Sequence, residues 1–467
     1  MRSARVIHCT FYFSFLKEVS ILRFDRSVTT VYDGTKKITL ISLMIPLLMQ
    51  RIFVQLYGTA NVILLSGFSE TAVSASSVAN QVLDISTVLL SMITTGTVIL
   101  SSIEIGAGNY RRAGSFAGTG SIATFLAGCI LAVINFTFAE SFLYAMNLRG
   151  ETLQLACQYL KVRALFLPFG GLLNFFNQML ICNGFSKYTL AVGVFSNLLN
   201  FAFSYAALYA GFEFMSPISR VGLAAEIAQI LGIIAAVLLF RYKKCPYAFN
   251  FEPRKVFKIL KLGVPGAMVS LMFRVAQTVT TGFVALMGDD VINTKVFIGN
   301  VVAYVPLLGL AIGSSNMVFM GRFKGAGDLE KANICHRQNR AIAVCCNIVL
   351  SLLVFAFHRP LMMLFTSNEA IIDAAGLIFF LDLFVQIPRA INNVSESSLC
   401  ANGDVKTTFF TSTLSCWLGS VVLSYLLCVV FNMGLVGLWI AFAVDESIKA
   451  IIYIFRWRSG KWKSIKV

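Results

Sequence analysis

Twelve stretches of this chain are each long and apolar enough to cross a lipid bilayer, and that feature excludes soluble architectures. Cut at charges and at Gly, Pro and Asn punctuation, they run over 38–66, 72–101, 113–135, 153–180, 188–210, 221–242, 257–286, 291–318, 338–357, 371–399, 407–431 and 435–457. About 20 residues cover the ~30 Å hydrocarbon core, so every run suffices and several leave room to tilt. The runs are continuous rather than alternating, which excludes a transmembrane β-barrel. Composition agrees, with 57% of the 467 residues hydrophobic, 13% charged and a mean hydropathy of +0.78. Soluble domains carry roughly 45–50% apolar and about 25% charged residues. The expected fold is an all-α integral membrane protein.

The formal charge is +16, from 38 Lys and Arg against 22 Asp and Glu. No basic patch interleaved with aromatics sits in a polar domain, so nucleic acid is not an expected partner. The excess belongs in cytoplasmic loops facing anionic headgroups. If the chain enters from the cytoplasm, that side holds Lys36, Lys37, Arg111, Arg112, Arg241, Lys243, Lys244, Arg254, Lys255, Lys258, Arg322, Lys324, Lys331, Arg456, Arg458, Lys461 and Lys463. The opposite loops hold Arg149, Arg220, Lys295 and Arg359. Both termini are therefore expected in the cytoplasm of a plasma (bacterial inner) membrane protein. Residues 1–35 mix apolar and basic residues without a small-residue cleavage site, and read as a cytoplasmic or interfacial arm, or a mis-assigned start, rather than a signal peptide. The eleven cysteines form no CxxC, and the three histidines (His8, His336, His358) fall in the arm or in predicted loops. No metal site and no cofactor are expected, beyond a coupling ion.

The chain is internally duplicated. Pro46 recurs as Pro265, Gly106-Ala107-Gly108-Asn109 as Gly325-Ala326-Gly327-Asp328, and Asn183-Gly184 as Asn402-Gly403, each 219 positions on. Val221-Gly222-Leu223 returns as Val436-Gly437-Leu438, 215 positions on. A unit of six helices is even, so both copies enter from the same side, a parallel repeat about an axis along the membrane normal. The expected organisation is an arm (1–35), a six-helix bundle (36–242), a cytoplasmic linker (243–256), a second bundle (257–457) and a basic tail (458–467). Two such bundles around a central cleft suggest an alternating-access transporter. Helices 1, 2, 7 and 8 are expected to line the cleft through Gln50, Asn80, Gln81, Gln277, Thr280 and Asn300.

Charges inside apolar runs mark function by default, because an unpaired one at mid-bilayer costs at least about 2.5–3.5 kcal/mol. The candidates are Arg51, Asp84, Arg163, Arg274, Asp382, Arg389, Asp445 and Lys449. Asp445 and Lys449 lie four apart on one helical face and can neutralise each other as a structural pair. Arg163 can snorkel to the interface. Asn197 and Asn200 share a face and can hold an ion or substrate, or bridge helices. Gly309 and Gly313 form a small-xxx-small pair suited to close helix packing.

The repeat layout and local motifs resemble the multidrug and toxic compound extrusion (MATE) family. Pro46, Gln50, Asn61 and Gly67 are similar to its first-helix pattern, Gly106 to Asn109 to its loop between helices 2 and 3, and Leu399 to Asp404 to its loop after helix 10. Gly437-Leu438-Trp439, then Asp445-Glu446, Lys449 and Arg456 to Trp462, resemble its last helix and tail. The resemblance spans about 36 to 463 and implies ion-coupled (H+ or Na+) export of small organic, often cationic, molecules by a monomer, without ATP. Many members carry an acid at the position of Asn61, some at that of Ser204, and some a helix-7 Glu near Phe273; all three are neutral here. Asp382, followed by Gln386, matches the helix-10 acid. Two other classes stay open: a flippase for a lipid or lipid-linked saccharide, with a wider and more basic cavity, and a membrane-embedded enzyme, which would need paired acidic motifs or a nucleophile cluster that the sequence does not show.

Depth counting makes two ion pairs plausible. Arg274 lies about 17 residues up helix 7 and Asp382 about 11 down helix 10, which coincide for a span of roughly 28 residues. Arg51 and Asp84 differ in depth by about four residues, or ~6 Å. The expectation is a pair Arg274–Asp382 in the second half and a counterpart Arg51–Asp84 in the first.

Overall fold

In a computed structural model the chain forms two six-helix bundles around a central cleft. The structure describes residues 27–33, 36–66, 70–146, 148–209, 216–287, 289–366 and 368–465, with the side chains of 32, 33, 36, 59–66, 70–73, 208, 209, 217, 285, 289, 290, 293 and 370 outside that description. Most of the predicted arm, with His8 and Cys9, and the Asn61 side chain therefore lie outside the described residues.

A hairpin opens the described chain. Strands β1 (Thr30–Asp33) and β2 (Lys36–Thr39) pair antiparallel, with Thr30 opposite Thr39 and Asp33 opposite Lys36. The first half follows as α1 (Leu40–Ser66), α2 (Glu70–Gly106), α3 (Tyr110–Thr137), α4 (Ala139–Ala145), α5 (Gly150–Leu165), α6 (Leu167–Cys182), α7 (Ser186–Tyr209) and α8 (Pro217–Tyr242). The second half is α9 (Pro253–Ala285), α10 (Asp289–Val302), α11 (Leu307–Gly325), α12 (Leu329–Ala356), α13 (His358–Met363), α14 (Glu369–Ala401), α15 (Val405–Ser415) and α16 (Gly434–Arg458). Helix α15 runs on through wide π turns at Cys416–Val422 and Tyr425–Val430, and a 3-10 turn at Lys461–Ser464 follows α16.

Among the described residues, nine single helices and two bent pairs are long and apolar enough to span a membrane. Helix α16, 25 residues long, completes the twelve and is set apart by three charges within it, Asp445, Glu446 and Lys449. The bent pairs are α5–α6, at 55°, and α10–α11, at 45°, where the sequence predicts single helices over 153–180 and 291–318. Pro168 opens α6 and Pro306 precedes α11. A proline ring fixes φ and lacks an N–H, so each resets the helix axis. Helix α12 starts nine residues before the predicted 338, which takes His336 out of a loop and into the packed interior.

The duplication extends to element boundaries. Helices α3 and α12 are both 28 residues long and start 219 positions apart, as do the short helices α4 and α13, which the sequence reading did not predict. Gly108 and Gly327 (φ +79° and +76°), with Gly184 and Gly403 (+78° and +89°), close the same two turns in each half. That left-handed region is open to glycine at little cost. The copies differ at one cap. The Asp328 carboxylate accepts the Lys331 N–H at 3.1 Å, whereas Asn109 makes no side-chain cap bond.

The Lys331 ammonium and N–H hold the Asp328 carboxyl below its ordinary value of 3.8. Its folded pKa is depressed, so the cap stabilises above about pH 4 and is lost as pH falls through the folded value. Asp328→Ala should cost about 1 kcal/mol at pH 7. Thermal unfolding should show the gap to wild type narrowing at about pH 3.

The two bundles meet backbone to backbone at the basic end. A Cβ on Gly96 would lie 2.0 Å from Ile259 O, and one on Gly263 would lie 1.7 Å from Met92 O. Gly106 faces Arg322 O in the same way (2.2 Å), and Gly325 faces Ile103 O (1.9 Å). The Arg322 guanidinium, 2% exposed, crosses between halves and donates to Cys182 O at 2.9 Å. An apolar cluster there joins Leu43, Leu47 and Ile181 to Phe319, Leu399, Tyr453 and Trp457. Ile38 of the hairpin packs onto Gly184.

Candidate substrate cavity and its charged lining

A cavity of about 710 Å³ lies beyond that closed end, walled by α2 of the first half and by α9, α11, α14, α15 and α16 of the second. Helices 2, 7 and 8 of the sequence numbering line it as expected. Among the described residues helix 1 contributes nothing to its lining, and helices 10, 11 and 12 do. Small residues make room on one wall. A Cβ on Gly313 would stand 2.9 Å from Asn393 O, and Gly309 lies against the Asn393 amide, so the Gly309–Gly313 pair serves close packing.

The charged wall comes from α14 and α16. Arg389, Asn392, Asn393, Glu396, Ser397 and Cys400 recur at three- and four-residue spacing, which places them on one face of α14. Opposite them, Arg389 Nε meets Glu446 Oε1 at 3.1 Å. Lys449 Nζ lies 3.1 Å from Asp445 Oδ2 and 3.4 Å from Glu446 Oε2. Asn392 Nδ2 donates to Glu446 Oε2 at 2.7 Å, and Ser415 and Ser420 donate to the Asp445 carboxylate at 2.6 Å each. The Asp445–Lys449 pair forms as expected, inside a larger network. Glu396 lines the cavity with no hydrogen bond or ion pair among the described residues.

Asp382 is placed differently from the sequence expectation. It is 4% exposed, lies off the cavity wall, and accepts from Gln386 Nε2 at 3.1 Å and Trp439 Nε1 at 3.2 Å. Arg274 does not pair with it. Arg274 Nη1 instead meets Asp84 Oδ2 of the other half at 3.1 Å. Arg51 correspondingly does not pair with Asp84, and its Nη2 donates to Ser314 at 3.0 Å, again across the halves. Both expected pairs are thus replaced by contacts between bundles. Hydropathy sets how deep a charge lies but not which way its helix is rotated.

The Arg274 and Asp84 side chains are 56% and 53% exposed, so the bridge is worth only about 0.2–1 kcal/mol. Arg274→Ala should therefore fold with near-native stability in a thermal melt, where the expected buried pair would have made it collapse.

The first half neutralises its own buried charge. Arg163 Nε lies 2.6 Å from Glu226 Oε1, and its Nη1 donates to Tyr159 OH at 3.0 Å, so Arg163 points into the bundle rather than snorkelling outward. Asn80 accepts from Tyr159 at 3.4 Å, and Gln50 packs on Gly193. Both therefore face the interior of their half and not the cavity. Gln277 is half-buried, Thr280 is buried and donates to Gln277 O at 3.1 Å, and Gln81 and Asn300 are exposed; none of the four is on the cavity wall. Ser204 donates to Asn200 Oδ1 at 3.0 Å along the same helix, while Asn197 is half-buried.

Sequence reasoning missed Glu226, Glu396 and Asn392, and used Glu446 only as part of a motif. The available signal was an acid within a predicted apolar run.

Two helical bundles enclosing a polar, charged cavity within membrane-spanning helices are the architecture of an integral membrane transporter. The MatE family model matches residues 46–206 and again 265–426, and the chain belongs to that family, a family of transporters rather than enzymes. It is 28% identical over 443 residues to the uncharacterized transporter YisQ of Bacillus subtilis, covering 94% of this chain and 97% of that one. It is 24% identical over 432 residues to a probable multidrug resistance protein NorM of Thermotoga maritima, covering 91% and 92%. A solved outward-facing multidrug resistance MATE family transporter of the MOP superfamily has the same fold, with a TM-score of 0.83 over 91% of this chain and 96% of that chain at 18% identity.

Proposed function

We propose that the protein is a secondary active exporter that moves small cationic or amphipathic organic compounds out of the cell by alternating access, in antiport with H+ or Na+. The observation that carries this reading is a cavity walled by both halves whose basic end is closed by backbone contact. The positive-inside rule puts that closed end, and both termini, in the cytoplasm of the plasma (bacterial inner) membrane. The cavity is then in an outward-facing state. In this reading the bundles 36–242 and 257–457, joined by the 243–256 linker, rock against each other in a monomer, with the lipid bilayer as the surrounding solvent. Relatives named as multidrug resistance proteins support organic compounds as cargo. Coupling belongs to the second half, because Ser204 is neutral and Arg163 already balances Glu226. The wall carries three bases (Arg274, Arg389, Lys449) against two acids (Glu396, Glu446), and Arg274 is already paired with Asp84, so its charge is close to balanced, which does not favour a flippase.

The test is ethidium uptake into inside-out vesicles holding the protein, under an imposed H+ or Na+ gradient. Uptake that collapses when one gradient is dissipated supports the reading. Uptake that ignores both gradients, or is no faster than in empty vesicles, overturns it.

A further inference from the structure

The acid that resembles the family's helix-10 carboxylate is Asp382, yet two donors already satisfy it away from the cavity. Fourteen residues on along α14, nearly four helical turns and about 21 Å of rise, Glu396 faces the cavity with no hydrogen bond or ion pair among the described residues, Lys449 acting on it only through space. The charges around it are committed elsewhere. Arg389 is held by Glu446, and Lys449 by Asp445 and Glu446. With all five side chains ionised, two cations stand against three carboxylates, and Glu396 is the one left over. An uncompensated carboxylate at membrane depth is costly.

The neighbouring polar atoms are also unspent. Asn393 Nδ2 and Asn392 Oδ1 are buried without hydrogen-bond partners, on the same face of α14. Ile99, Leu262, Leu310 and Met317 add aliphatic surface to the wall, beside the hydroxyls of Ser314, Ser397 and Ser412. A carboxylate and an amide carbonyl beside aliphatic side chains fit a compact positive charge carried on an apolar body.

We propose that Glu396, and not Asp382, is the carboxylate that binds the positive charge of an organic monocation in this chain. This rests on the exporter reading and adds the binding residue to it. Asn392 and the Met317–Leu310 wall then take the polar rim and the hydrocarbon of the ligand.

The test is equilibrium binding of ethidium and of tetraphenylphosphonium to the purified full chain in detergent. Both are permanent monocations, so only the protein changes protonation. Glu396→Gln removes no ion-pair partner from Arg389 or Lys449, so the variant should fold, and a thermal melt checks this. The expected result is Kd raised about tenfold or more in Glu396→Gln, matching the loss of a desolvated charge pair, with binding retained in Glu396→Asp and in Asp382→Asn. Wild-type affinity in Glu396→Gln, equal losses in Asp382→Asn, or no binding of either cation by the wild type would each overturn the proposal. Gradient-driven uptake with unchanged binding in Glu396→Gln would sink this proposal and leave the exporter reading standing. Binding at Glu396 without gradient-dependent uptake would do the reverse.

Discussion

Gly263→Leu should prevent the basic side from closing. A Cβ at this position would stand 1.7 Å from Met92 O, a backbone atom with no rotamer to give way. Overpacking of this kind costs about 1–3 kcal/mol where neighbours can move, and here α2 and α9 must separate. A cost of ~1.4 kcal/mol is already a tenfold population shift. With Ile103→Cys on a Cys-free background, a membrane-impermeant thiol reagent added at the basic side should label the Gly263→Leu protein at least about tenfold faster than the parent. Transport should fall with it, since one of two required states is lost. Equal labelling rates would show that this contact does not hold the bundles together.

Glu446→Ala should be among the most destabilising single changes in the second half. It strips the counter-charge from Arg389, one of two from Lys449, and one of two acceptors from Asn392, whose amide keeps the residue-446 backbone carbonyl. Leaving a buried ion-pair member unpaired costs about 3–5 kcal/mol. Thermal unfolding in detergent should show a large drop in midpoint. Glu446→Ala with Arg389→Met should recover part of it, because an apolar replacement of a buried pair is often neutral or better. A variant that melts with wild type would mean that the Lys449–Asp445 contact alone suffices.

The contrast between Glu446 and Glu396 shows what a sequence does and does not carry. Helix number, repeat and class were legible because a span needs about 20 apolar residues and a duplication leaves colinear matches. Rotation was not. Arg274 and Asp382 were placed at matching depth, yet their helices turn them to different neighbours, Asp84 for one and Trp439 with Gln386 for the other. Rotation is fixed by which faces pack, and in a membrane most of a helix's surface is apolar, so periodicity says little about it. Candidate choice suffered likewise. The polar residues Asn80 and Gln50 were expected in the cleft, but each meets a neighbour within its own bundle. Glu396 lies inside the predicted run 371–399, and only the rotation of α14 shows that it lines the cavity.

The aromatic stack at the closed end makes the protein report optically on its own tail. Trp457 lies 4.1 Å from Trp462 with rings 13° apart, and His336 covers the other face of Trp457 at 4.0 Å. Two indoles at that separation couple electronically, so the docked tail contributes an exciton-split band to the circular dichroism spectrum. Trp439 is 5% exposed and Trp417 is 36% exposed, and neither has an indole partner that close among the described residues. The band therefore belongs to one contact. Trp462→Phe should erase it while leaving the emission of Trp439 and Trp417 in place. If opening of the basic side peels the tail away, the same band will fade on the timescale of that opening, giving a label-free clock for the transport cycle.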